Sequence, residues 1–190
     1  AYSRRNSLVV VRFGYFKLEG SFRMIQVYTG EGKGKTTAAL GLALRACGAG
    51  LNVYICQFVK GRYYSELAAL KKLKNIKLVQ FGRRCFIKST PKAIDKEMAR
   101  KGFFKAREAV LCGKFDLVVL DEINIAVKLG LIRLEELIGL LDAAPKGVEV
   151  ILTGRYASPQ VLRKADLVSD IAEKKHYYKR GVKARRGIEF

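Results

Sequence analysis

The chain has 190 residues, of which 49% are apolar and 28% charged, and carries a formal net charge of +20. That length suits one domain with a substantial core, the composition is globular rather than disordered, and no apolar run approaches the ~20 residues that a membrane-spanning helix needs. Four cysteines without a Cys-x-x-Cys pair, and a single histidine, His176, exclude a zinc centre and point to reduced thiols in a cytoplasmic protein. The charge invites a nucleic-acid reading, but 32 basic and 16 acidic groups remain beyond residue 23, so the excess is spread along the chain. A solvated, lysine-rich surface accounts for such a spread, and an anionic small ligand needs some positive bias of its own.

Residues 1–23 hold five basic groups and one acid, Glu19. They are an extension of uncertain origin: a short extra strand at 8–11, a targeting segment, or translated sequence upstream of a start at Met24. They have no apolar stretch with a cleavage site, as a secretory signal would. The domain proper is expected over 24–190. Residues 24–28 read as the first core strand, 29–37 as a glycine-rich loop, and 36–47, apolar on nearly every side, as a buried helix stopped near Gly48 and Gly50. Next come a strand at 51–59, a helix at 64–73, a strand at 76–81 and a loop at 82–90. Pro91 suits the first turn of a long helix with Ile94, Met98, Gly102, Ala106 and Val110 at four-residue spacing. The apolar run 115–120 ends in Asp121-Glu122. An amphipathic helix around Leu134–Leu141, a strand at 148–152, a short helix from Ser158-Pro159 and a strand at 166–171 complete the order. Wholly apolar strands alternating with helices define an α/β fold, a mostly parallel sheet of about six strands with helices on both faces. Sites in such sheets gather at the carboxyl ends of strands. This rule brings together the glycine-rich loop, 57–60, 82–88, 121–124 and 153–155.

TGEGKGKTT (29–37), between a strand and a helix, has the layout of a P-loop. Gly30, Gly32 and Gly34 let backbone N–H groups converge on an anion, and the helix presents its positive end there. Lys35 can reach phosphate oxygens, Thr36 can ligate Mg²⁺, and Thr37 continues the helix. Where a P-loop has its first glycine this chain has Thr29. FDLVVLDE (115–122) has the form of a strand ending in a metal-organising acid, Asp121, followed by Glu122 where many ATPases keep a water-activating base. Arg155, Lys60 and Arg45 are further candidates for phosphate contact, each with a structural or solvated alternative. Residues 174–186 combine seven basic groups with two tyrosines. Alone, that segment fits a single-strand nucleic-acid patch or a charged, poorly ordered tail, and His176 within it reads as structural. On these residues alone, a nucleic-acid-directed ATPase and a nucleotide-dependent interaction switch both stand open.

Several segments taken in order, TGEGKGKTT (29–37), ALRACG (43–48), QFVKG (57–61), VVLDE (118–122), TGR (153–155) and KHYYKRGVKARRGIEF (175–190), resemble the P-loop-type ATP:corrinoid adenosyltransferases of cobalamin biosynthesis. The resemblance implies a RecA-like P-loop NTPase fold and a homodimer. It implies transfer of the 5′-deoxyadenosyl group of ATP to Co(I) of a corrinoid, with triphosphate leaving, in adenosylcobalamin biosynthesis or salvage. ATP would lie reversed relative to ordinary P-loop enzymes. By position, Lys35 and Glu122 would be catalytic. Gly30, Glu31, Gly32, Lys33, Gly34, Lys35, Thr36, Thr37 and Arg155 would bind ATP, with Arg45 and Lys60 as further contacts. Mg²⁺ or Mn²⁺ would sit on Thr36 and Glu122, with Asp121 in support. Phe86 would face the corrinoid, with Lys88 standing where some members have Trp. The expected partners are ATP, the reduced corrinoid and an electron donor such as a reduced flavoprotein, with neither membrane nor nucleic acid among them.

Overall fold

Strand periodicity decides the layering. In the computed structural model, which describes residues 23–83, 87 and 90–190, the six strands are β1 (Met24–Thr29), β2 (Val53–Phe58), β3 (Ile76–Phe81), β4 (Leu117–Asp121), β5 (Glu149–Thr153) and β6 (Leu167–Asp170). They form one parallel sheet in the order β3-β2-β4-β5-β1-β6. Successive side chains point to opposite faces. Ile25, Val27, Tyr54, Cys56, Val118, Leu120, Val150 and Leu152 therefore meet α3 (Ala93–Leu111), α4 (Ile123–Lys128), α5 (Leu134–Ala143) and α6 (Pro159–Lys164). Tyr28, Val53, Ile55, Leu117, Val119 and Ile151 meet α1 (Lys35–Gly48) and α2 (Glu66–Leu70) on the other face. The sheet is sealed on both sides, as its unbroken apolar strands require. Among the described residues, no helix is long and apolar enough to cross a membrane.

Three helices differ from the sequence expectation. Beyond Lys35 at its start, α1 buries only the stripe Ala39, Ala43 and Ala46, and Leu44 is 55% exposed. Alanines let the helix axis approach the sheet closely, so a narrow stripe suffices. α2 covers only Glu66–Leu70, because the lysines that follow enter a turn. α4 falls where the sequence suggested no element. It starts from Glu122 in the left-handed region (φ 62°) and ends before Gly130, whose φ of 65° suits a glycine stop. The proposed strand at 8–11 and nearly all of the amino-terminal extension lie outside the described residues. Arg23 donates to the carbonyls of Leu141 and Asp142 at the end of α5.

α3 and α5 are tied by Arg100, whose Nη1 donates to both oxygens of Glu136 at 2.6–2.7 Å. Arg100, with help from Arg133, holds the Glu136 carboxyl down to about 2, against an ordinary value of 4.5. A depressed carboxylate stabilises the fold above its unfolded pKa, and that contribution is lost as pH falls through the folded value. Glu136→Gln should therefore lower unfolding free energy by about 1 kcal/mol near neutrality, the pair being partly exposed. Urea titrations across pH 6 to 2 should show the two proteins converging at the acid end. A constant gap at all pH values would disprove the assignment.

Candidate functional site

The carboxyl ends of β1, β2, β4 and β5 converge on the phosphate loop. Gly34 precedes α1 with φ 120°, a conformation for glycine only, and among the described residues nothing lies within 4 Å of where its Cβ would be. Among the described residues no side chain caps the helix, and no acid stands in its first turn. Its free N–H groups and positive end are therefore available to an anion. Gly30 and Gly32 serve another purpose. A Cβ on either would stand 2.6 Å from the carbonyl oxygen of Ile171. The chain leaving β6 runs directly behind the loop, accepting from Gly32 N at 2.6 Å and donating from Ile171 N to Thr29 O at 2.9 Å.

Lys35 is buried beneath the loop, its ammonium donating to the carbonyls of Gly30 and Gly32, both at 2.6 Å. Burial, and then the charge of Arg155, lower its pKa. Asp121, fully buried, collects four donors. Oδ1 accepts from Thr36 Oγ1 (2.9 Å) and Thr153 Oγ1 (2.7 Å), and Oδ2 from Gln57 Nε2 (2.9 Å) and Lys60 Nζ (2.7 Å). Gln57 is held in turn by Gln80. Burial alone would raise the Asp121 pKa, but Lys60 and the other donors outweigh it and the net shift is downward. Glu122 shifts the other way, because burial and the neighbouring Asp121 charge both disfavour its ionised form. Its backbone N–H donates to Thr153 Oγ1 at 2.9 Å. Thr153 thus orients both acids, a role that sequence reasoning left unassigned.

A divalent cation fits this donor set. Thr36, Asp121 and Glu122 offer hard oxygen ligands, and a cationic group, the Lys60 ammonium, already rests against Thr36 Oγ1 at 2.8 Å and Asp121 Oδ2. Among the described residues, no three His, Cys, Asp or Glu side chains cluster as a metal cage. The remaining ligands would come from phosphate and water, as suits Mg²⁺.

The other expected residues divide. Arg155 reaches the loop, donating to Glu31 O at 3.0 Å and pairing with the Glu31 carboxylate at 3.1 Å. Thr37 is exposed in the first turn of α1. Lys33 points away from the anion site. Its ammonium is held by Tyr177 Oη, the carbonyl of Ile188 and Glu189 Oε1, each at 3.0 Å. The basic carboxy-terminal segment is therefore folded onto the outer side of the loop rather than trailing as a tail, with a 3₁₀ turn at Tyr177–Arg180. His176 is structural there, its Nδ1 accepting from Tyr178 N. Arg45 stands in the last turn of α1, exposed. That is roughly 15 Å along the helix from Lys35, so this chain does not bring it to the loop. The charge in an apolar helix is resolved by exposure to solvent. Phe86 and Lys88 lie outside the described residues. Their flanks are fixed, since Arg83 binds Asp95 through two hydrogen bonds and Ile87 packs on the core. A cleft of about 690 Å³ is lined by Gly61, Arg62, Tyr63, Leu67, Leu78 and Gln80 among others.

The family model described as ATP:corrinoid adenosyltransferase BtuR/CobO/CobP matches residues 21–190. The chain belongs to this family. As an ATP:corrinoid adenosyltransferase family member it is a transferase with a P-loop-type nucleotide-binding fold. It is 35% identical over 167 residues to the corrinoid adenosyltransferase CobA of Salmonella typhimurium, covering 88% of this chain and 85% of that protein. It is 32% identical over 169 residues to the corrinoid adenosyltransferase of Pseudomonas aeruginosa, covering 88% and 83%. An uncharacterized protein of Nostoc sp. is 34% identical over 180 residues, and there the chain spans about half, 48%, of the relative's length. Among solved structures, the KaiC-like protein PH0186 of Pyrococcus horikoshii superposes with a TM-score of 0.52 at 20% identity, covering 82% of this chain and 74% of that one. That likeness concerns the fold alone and agrees with a RecA-like architecture.

Proposed function

We propose that the protein transfers the 5′-deoxyadenosyl group of ATP to Co(I) of a corrinoid and releases triphosphate. The observation that carries the reading is the buried Lys35 beneath an uncapped helix end, joined through Thr36 to Asp121, in a chain matched to the corrinoid adenosyltransferase family over 21–190. The substrate Co(I) brings an electron pair to C5′ of the ribose. A Co–C bond forms, the C5′–O bond breaks, and its electrons depart with the triphosphate as cobalt becomes formally Co(III). The nucleophile is strong by itself, so the protein's share is alignment and stabilisation of the leaving charge.

The free N–H groups of 34–37 hold phosphate oxygens, and Lys35 leaves its carbonyl partners to neutralise the triphosphate. Thr36 and Glu122 hold Mg²⁺ or Mn²⁺, which supplies further charge neutralisation when bound. Asp121 acts in support by accepting from Thr36. Arg155 braces Glu31 and fixes the loop's outer bend. By its position in the sequence, Phe86, with Lys88, is assigned to the corrinoid, to withhold a lower axial ligand from cobalt. An electron donor such as a reduced flavoprotein, a homodimeric assembly and a cytoplasmic location belong to the same reading.

The test is incubation with Mg-ATP and chemically reduced cobalamin, following the Co(I) absorbance and the phosphate product. Triphosphate that appears only with the corrinoid is the expected result. Phosphate release independent of corrinoid and stimulated by DNA would establish the competing nucleic-acid ATPase instead.

A further inference from the structure

Lys60 reaches the centre of the site by an unusual route. Val59, which precedes it, has φ 51°. A β-branched residue in the left-handed region is strained, and such strain persists where the surroundings impose it. Here the loops after β2 and β3 are pressed together, and a Cβ on Gly61 would strike the backbone of Gly82 and Arg83. The bend sends the lysine inward, leaving its side chain 13% exposed. Its ammonium touches Thr36 Oγ1 at 2.8 Å and Asp121 Oδ2 at 2.7 Å, with the Tyr64 ring centroid 5.7 Å away. Those two oxygens belong to the residues that would position a divalent cation.

We propose that Lys60 is a tethered competitor for the divalent cation, occupying the Thr36–Asp121 oxygens until a nucleotide arrives. The inference rests on the metal assignment above. A free cation entering alone must displace an ammonium from two oxygens inside a water-poor pocket, and would face a like charge at close range. A triphosphate changes this balance. It brings several negative charges, enough to satisfy both cations, so the ammonium turns toward phosphate as the metal takes Thr36 Oγ1, with Asp121 behind it in support. Lys60 is thus a positioning residue that makes metal binding conditional on nucleotide, rather than a standing phosphate contact.

The test reads metal binding and needs no corrinoid. Protein-bound Mn²⁺ is measured by the electron paramagnetic resonance signal of free Mn²⁺, with and without ATP, after subtracting the Mn²⁺ that the same ATP concentration binds without protein, for the wild type, Lys60→Met and Lys60→Gln. Wild type should bind Mn²⁺ at least tenfold more weakly without ATP than with it. Both variants should bind Mn²⁺ alone at least tenfold more tightly than wild type, and the difference should shrink to within about threefold when ATP is present. The glutamine variant keeps a donor for Asp121 and serves if methionine impairs folding. Variants that bind Mn²⁺ alone no more tightly than wild type would overturn the proposal, as would wild type showing equal affinity with and without ATP. Adenosyl transfer is not measured, so a protein that passes this test and fails the corrinoid assay refutes the proposed reaction and leaves the role of Lys60 standing.

Discussion

Lys35→Ala should cost at least 10³-fold in the rate of Co(I) consumption at saturating ATP, with little change in the melting temperature. The ammonium is buried, and among the described residues its hydrogen-bond partners are the carbonyls of Gly30 and Gly32. A lysine spending its hydrogen bonds on loop carbonyls is poised to exchange them for a stronger, charged acceptor. In the proposed reaction the whole triphosphate departs with an added electron pair, so the group beneath it would be used most fully in the transition state. Loss of a single preorganised donor to a developing oxyanion typically costs 10²–10³, about 3–4 kcal/mol, and a full positive charge at the leaving group sits at or above that range. Stopped-flow spectrophotometry of the Co(I) band is the measurement. Turnover within tenfold of wild type would show that the phosphate loop is misassigned.

Asp121→Ala should destabilise the fold itself, by about 3–5 kcal/mol in urea unfolding, as expected when one partner of a buried ion pair is removed. Four donors lose their acceptor together: Thr36, Thr153, Gln57 and the Lys60 ammonium. The largest part comes from stranding the buried ammonium. Adding Lys60→Met to Asp121→Ala should consequently recover roughly half of the loss, the two sites being in direct contact and so non-additive. If the double variant is less stable than Asp121→Ala alone, the lysine is already solvated and the ion pair contributes nothing.

The parts of this site that sequence made legible are the local ones. TGEGKGKTT and VVLDE each place a loop or an acid by short-range rules, and the parallel α/β sheet followed from apolar runs separated by helices. What escaped depends on contacts distant in sequence. Lys33 was assigned to nucleotide, yet its partners Tyr177 and Glu189 lie 144 and 156 positions away. Nothing in a glycine-lysine loop announces them. Gly30 and Gly32 were explained by phosphate, whereas they are demanded by the chain that passes behind them. Arg45 was drawn toward the ligand by its apolar setting, but the helix is open to water on that side. α4 was missed because its start uses a left-handed glutamate in place of a conventional cap.

The sheet order has a consequence for the way this protein is made. β2 lies between β3 and β4 in the sheet, so these three strands can pair as they emerge from the ribosome. β1, which carries the phosphate loop, pairs only with β5 and β6, drawn from the last quarter of the chain. The segment that follows β6 then backs the loop. Contacts so distant form late in folding. The first functional motif to be synthesised is therefore among the last to take shape, and a chain cut short before β6 would hold the nucleotide-binding sequence without the ability to grip a nucleotide.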